Sequence, residues 1–219
     1  MNFKGGKVTL PKNFSTRVKF AFHVLSHPIR GFYELKYEKE GSLSLGLMIL
    51  FGVFVTSVIR STMTGYLFNQ DYGTPINIFV IFAKTVFPFL LWSIASWCLT
   101  VLFSGEGTMK EIFTAVSYAT LPLIFSNVLL TLLTNVLINK ESMYITFFDT
   151  FFWIWTFALI FIAMMGTHQY TFLKNIIVSI LTIFGIAVII FIILLGFQLI
   201  QQIYTFVYSV YKELSFRYI

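Results

Sequence analysis

The chain has 219 residues, of which 58% are hydrophobic and only 11% charged, and its net charge is +6. That balance excludes an ordinary water-soluble globular domain. A single cysteine, Cys98, excludes an internal disulfide and a cysteine metal cluster.

Residues 1–13 combine Gly5, Gly6, Pro11 and three lysines, a composition that predicts a tail without regular structure. From Phe14 to Ser26 the apolar residues Phe14, Val18, Phe22 and Leu25 recur at helical spacing beside Arg17 and Lys19. This predicts an amphipathic helix lying in the membrane interface. Pro28 disfavours the helical region at His27 and should end that helix. The charge run of residues 33–40 reads as a solvated connector, with Ser42 as N-cap of the first span.

Five apolar runs follow, each long enough to cross a bilayer. They cover 43–63, 76–103, 112–138, 147–166 and 176–203. Pro88 and Pro122 interrupt the second and third runs and should kink them. Thr108 with Glu111 forms a capping-box pattern ahead of the third. After the fifth, Ile203, Phe206, Val207, Val210 and Leu214 alternate with tyrosines and predict a helix continuing past the membrane. The fold class is therefore all-α: a polytopic membrane bundle of about five transmembrane helices, with an N-terminal amphipathic interfacial helix and a C-terminal helical tail. Its parts are a basic segment (1–42), the five-span domain (43–203) and an amphipathic tail (204–219).

Eight of the fifteen Lys and Arg residues precede the first span, while the first hairpin, with Asn69, Gln70, Asp71, Gly73 and Pro75, has none. Membrane orientation accounts for this charge better than nucleic acid does. It predicts a multi-pass protein of the cell membrane with a cytoplasmic N-terminus and an extracytoplasmic C-terminus, in contact with membrane lipids.

Ionisable groups within spans are expensive, which singles out Arg60, Lys84 and Asp149, all near the outer end of the bundle. Asp149 is expected to pair with Lys84 or Arg60. Small residues Gly46, Gly52, Ala95 and Ser96 would permit close helix approach. The connector Ser104-Gly105-Glu106-Gly107-Thr108 lacks the following Gly-Lys-Ser/Thr of a phosphate loop and reads as a tight interhelical turn. His23, His27 and His168 lack metal-ligand spacing, and His168 reads as an interfacial residue. No Ser/His/Asp arrangement is legible, so no enzyme activity, cofactor or metal is expected.

Several of these residues occur together in a known pattern. His27-Pro28 with Phe32-Tyr33 before span one, Gly105 and Gly107 in the connector before span three, and the Ser117-Tyr118-Ala119-Thr120-Leu121-Pro122 stretch resemble the Yip family of five-span membrane proteins, in its bacterial branch; Gly166 with His168 adds a further match. The resemblance implies a five-span bundle with a cytoplasmic N-terminus. Eukaryotic relatives are associated with Rab-type GTPases and vesicle traffic through cytoplasmic segments and motifs that are not legible in this sequence, and that function is not carried over. For the bacterial branch it implies a partnership with other integral membrane proteins, carbohydrate ABC importer permeases among them. The expected function is a non-enzymatic scaffold or accessory subunit. The alternative is a small-solute or lipid transporter built on the kinked spans.

Overall fold

The computed structural model describes residues 14–38, 41–69 and 73–217. The expected tail of residues 1–13 and the hairpin residues Gln70 and Asp71 lie outside them. All regular structure among the described residues is helical.

The first span is one helix, α3 (Leu43–Met63), preceded by α1 (Phe14–Ser26) and α2 (Pro28–Tyr37). The second span is split into α4 (Ile78–Thr85) and α5 (Phe87–Phe103), and the third into α6 (Met109–Ala119) and α7 (Leu121–Val136). Both splits come just ahead of a proline. Pro88 and Pro122 each fall in the first turn of the second half, where the missing N–H costs nothing. Continued backwards as a straight helix, each ring would strike the carbonyl four residues earlier. A single 3-10 turn (Asn139–Glu141) leads into α8 (Ser142–His168), and α9 (Phe172–Arg217) completes the chain. Five helical spans are long and apolar enough to cross a membrane.

The third span is the axis of the bundle. Two thirds (67%) of its most apolar stretch is buried, against 28% at most for the others. α6 packs on α3, α5 and α8, while α7 packs on α3 and α8. Ile112, Ala115, Val116 and Ala119 of α6 meet Val53 of α3 and Ala163 of α8 in the core, each at 1% exposure or less. Small residues set the approach distances: a Cβ on Gly46 would come within 3.2 Å of Ser117 Cβ, and one on Gly185 of α9 within 3.7 Å of Ala95 Cβ.

Three N-terminal expectations are revised. α1 is rotated from the expected stripe: it buries Phe20, Ala21 and Val24 on the bundle, while Phe22 is 49% exposed. The supposed connector at 33–40 is helical through Tyr37: Glu34 accepts from Arg30 one turn earlier (Nε to Oε1, 2.6 Å), Lys36 reaches Glu106 outside the helix, and Phe32 and Leu35 turn inward. Gly31 allows α2 to fold back on α1, since a Cβ there would stand 2.7 Å from Val24 Cα. Lys39 and Glu40 of that run lie outside the described residues. Ser42 occupies the N-cap position of α3, but its hydroxyl accepts from Arg17 Nη1 at 3.2 Å and does not cap the helix.

Candidate functional site: a polar cavity at the far end of the bundle

α3, α7 and α8 carry polar side chains to the end of the bundle opposite α1 and α2. Arg60, one turn before the end of α3, donates from Nη1 to Asp149 Oδ1 of α8 at 2.9 Å. The same nitrogen reaches Asn127 Oδ1 of α7 at 3.4 Å. Asn127 turns its amide to α3, donating to Ser57 Oγ at 2.9 Å and Thr56 Oγ1 at 3.2 Å. It is 7% exposed, so this side chain ties α7 to α3 from a largely buried position, and Arg60 carries the network on to α8.

Lys84 stands apart from that network. It lies on the cavity-facing side of α4, which buries none of its residues and packs on α3 alone apart from its own continuation α5. The helix is interrupted at Val86, two residues before Pro88. The space left between α3, α4 and α7 is a cavity of about 670 Å³, lined by Ser57, Arg60, Asn77, Lys84, Ser126 and Asn127 among others. Its apolar walls include Val53, Ile81, Leu123 and Trp153. Asn77 also starts α4, accepting from the backbone N–H groups of Phe79 and Val80 at 3.0 and 3.3 Å. Among the described residues Lys84 forms no ion pair, whereas the Arg60 charge is met by Asp149.

Apart from Pro122, which lies midway along the third span, the residues of the family-like motif gather at the opposite end. His168, read from the sequence as interfacial, is only 2% exposed. Its Nε2 lies 3.2 Å from Ser96 Oγ, and its ring stacks on Tyr170 at 5.0 Å. Gly105 and Gly107 make room for it. A Cβ on Gly105 would collide with the Tyr170 hydroxyl and stand 2.8 Å from His168 Nδ1, and one on Gly107 would stand 2.9 Å from His168 Cε1. Lys36 of α2 closes the layer by donating to Thr167 O at 2.8 Å and Glu106 Oε2 at 3.2 Å. Burial pushes the Tyr170 phenol up from its ordinary pKa. Tyr118 accepts from Ser42 N at 3.3 Å and meets Phe20 edge-on, joining α1 and α3 to α6. His27 stacks on His23 at 5.2 Å, and His23 reaches Glu34 at 3.4 Å, so this corner joins α1 to α2. The capping box at Thr108 and Glu111 is present. No group of three or more His, Cys, Asp or Glu among the described residues is placed to hold a metal ion.

Two members of these sites escape a search for charges. Asn127 is neutral, yet it recurs with Thr131 and Thr134 at helical spacing inside an apolar run, a signal of a polar seam. Lys36 is hidden in the charge run, where nothing local distinguishes it from its neighbours.

In comparison with known proteins, the Yip1 domain matches residues 22–206, a stretch that holds the first four spans and most of the fifth. No curated protein and no solved structure matches the chain.

Proposed function

The chain belongs to the Yip1 domain family, and on that premise we propose that this multi-pass membrane protein is a non-enzymatic scaffold or accessory subunit that docks other integral membrane proteins through α9. The observation that carries this reading is the length of α9 left without a neighbour. The helix packs on α5, and more lightly on α8, in its first half only. From Phe191 to Phe216 every residue but Gly196 is exposed.

That free half is not uniformly greasy. Ile200, Ile203, Val207, Val210 and Leu214 follow one another at alternating steps of three and four, the spacing of a helix–helix seam. Gln201, Gln202, Thr205, Ser209 and Lys212 hold the opposite face. Lipid covers whatever part of α9 lies in the hydrocarbon, but 46 residues make a rod of roughly 69 Å, more than twice the ~30 Å of that layer. The excess carries the two-faced sequence. With the basic N-terminal side in the cytoplasm of a cell-membrane protein, this end stands outside. Integral membrane proteins are the partner class, and a carbohydrate ABC importer permease is the member of it that the sequence resemblance implies.

A transporter reading draws on the far-end cavity, but the bundle below that cavity is filled by Val116, Ala119, Ile49 and Leu50. Transport through it would need that packing to open on the other side.

A photo-crosslinking residue placed at Val207 or at Ser209 in the full chain tests the docking role. We expect a discrete protein adduct from Val207, weak labelling from Ser209, and loss of the adduct in a Val210→Lys background. Equal labelling from both faces, or adducts to lipid alone, would refute it.

A further inference from the structure

We propose that the far-end cavity is a binding site for a phosphate-class anion, supplied either as the head group of a phospholipid or as free phosphate. The inference does not depend on the docking role of α9. It begins with charge. Among the described residues two cations line the cavity, Arg60 and Lys84, and Arg60 is already paired with Asp149 at 2.9 Å. Among these described groups that leaves the Lys84 ammonium without an ion pair inside a membrane-spanning segment, where a lone charge is costly. A bound anion removes that cost.

The neutral groups around Lys84 suit an anion with several acceptor oxygens. Ser57, Ser61 and Ser126 bring hydroxyls, and Arg60 spends only Nη1 on Asp149 and Asn127, which leaves guanidinium N–H groups to spare. An arginine fork with a lysine point charge is a combination that phosphate oxygens satisfy well. The cavity falls within the size range of small-molecule sites, at about 670 Å³. Its apolar wall of Val53, Ile81, Leu123 and Trp153 fits the glycerol and acyl portion of a lipid. α4, with no buried residue, is the side through which such a molecule would enter.

The test uses the full-length protein, stripped of lipid in mild detergent. Native mass spectrometry is run with added phosphatidylglycerol or with an uncharged diacylglycerol, and thermal unfolding is followed with inorganic phosphate or with acetate. We expect one phosphatidylglycerol retained per chain and none of the diacylglycerol. Lys84→Met and Lys84→Gln should weaken retention about tenfold or more, as loss of a charge-assisted hydrogen bond does, and Lys84→Arg should restore it. Both neutral variants should melt at or above the wild-type temperature without ligand, because Lys84 makes no ion pair in the fold and its unpaired charge is a cost. Retention of phosphatidylglycerol without stabilisation by phosphate identifies the lipid as the source, and stabilisation by phosphate that Lys84→Met abolishes identifies the free anion. Binding that Lys84→Met leaves unchanged, acetate acting as well as phosphate, or no binding of either probe would overturn the proposal.

Discussion

Replacing Asn127 by leucine removes one side chain and three cross-helix hydrogen bonds: two donated to Thr56 and Ser57 and one accepted from Arg60. The two side chains share one branched skeleton of four heavy atoms, and the bulkier leucine methyl groups have the neighbouring cavity to expand into, so the change tests polarity more than packing. Interhelical hydrogen bonds in membrane proteins average about 0.6 kcal/mol, and three give about 2 kcal/mol. The Arg60 contact, at 3.4 Å, is the weakest of them, and Arg60 keeps Asp149. The expected loss is therefore about 1 to 2 kcal/mol in a reversible denaturation titration in mixed micelles, followed by tryptophan fluorescence. A double-mutant cycle with Ser57→Ala should show a coupling of about 0.6 kcal/mol for the 2.9 Å bond. Stability within ~0.3 kcal/mol of wild type, the usual limit of additivity, together with zero coupling to Ser57, would mean that Asn127 does not hold α3 to α7.

Two further substitutions follow from the same geometry. Asp149→Leu strands the Arg60 guanidinium, and because both groups are about a third exposed (32% and 33%) the cost should be about 1 to 3 kcal/mol, less than for a fully buried pair. The double variant Arg60→Met/Asp149→Leu should be more stable than Asp149→Leu alone in the same titration, and the reverse order would show that the pair is not a unit. At the opposite end, Gly105→Ala forces a methyl group against the Tyr170 hydroxyl and the His168 ring and should cost about 1 to 3 kcal/mol. Gly196→Ala, where nothing lies within 4 Å, should instead leave the melting temperature unchanged or raise it. Equal effects of the two alanines would refute the crowding argument.

The five spans are legible because each is a long apolar run, and the two breaks because proline forbids a straight helix wherever it stands inside one. Other features depend on partners distant in sequence. Residues 33–38 look like solvent-facing chain because their charges dominate the composition, yet two apolar side chains one turn apart, Phe32 and Leu35, bury the helix on α8 and α6. His168 looks interfacial because it ends a span. Its burial is decided by Gly105 and Gly107, some sixty residues earlier, and by Lys36, which is earlier still. The trio Arg60, Lys84 and Asp149 is legible as a set of costly charges at one depth. Which two meet is not, because the choice depends on how α3, α4 and α8 are placed around the bundle, and those contacts are between residues far apart in sequence. The end of the fifth span is hidden for another reason: residues 176–203 pass into the tail without a Gly, Pro or charge run that would mark a boundary.

That missing boundary makes α9 a shaft with a fixed phase. Every residue of a helix advances about 100° and 1.5 Å, so the face that packs on α5 at Gly185 and the Ile203–Val207–Val210 seam keep a set rotational relation. One residue inserted near Gly196 would turn the distal seam about 100° away while lengthening the shaft by only ~1.5 Å. Seven residues would return it almost to its original bearing, some 10 Å further out. An object seated on that seam is thus indexed to the bundle by angle as well as by height, and a tilt of α5 would be carried along the shaft to its tip.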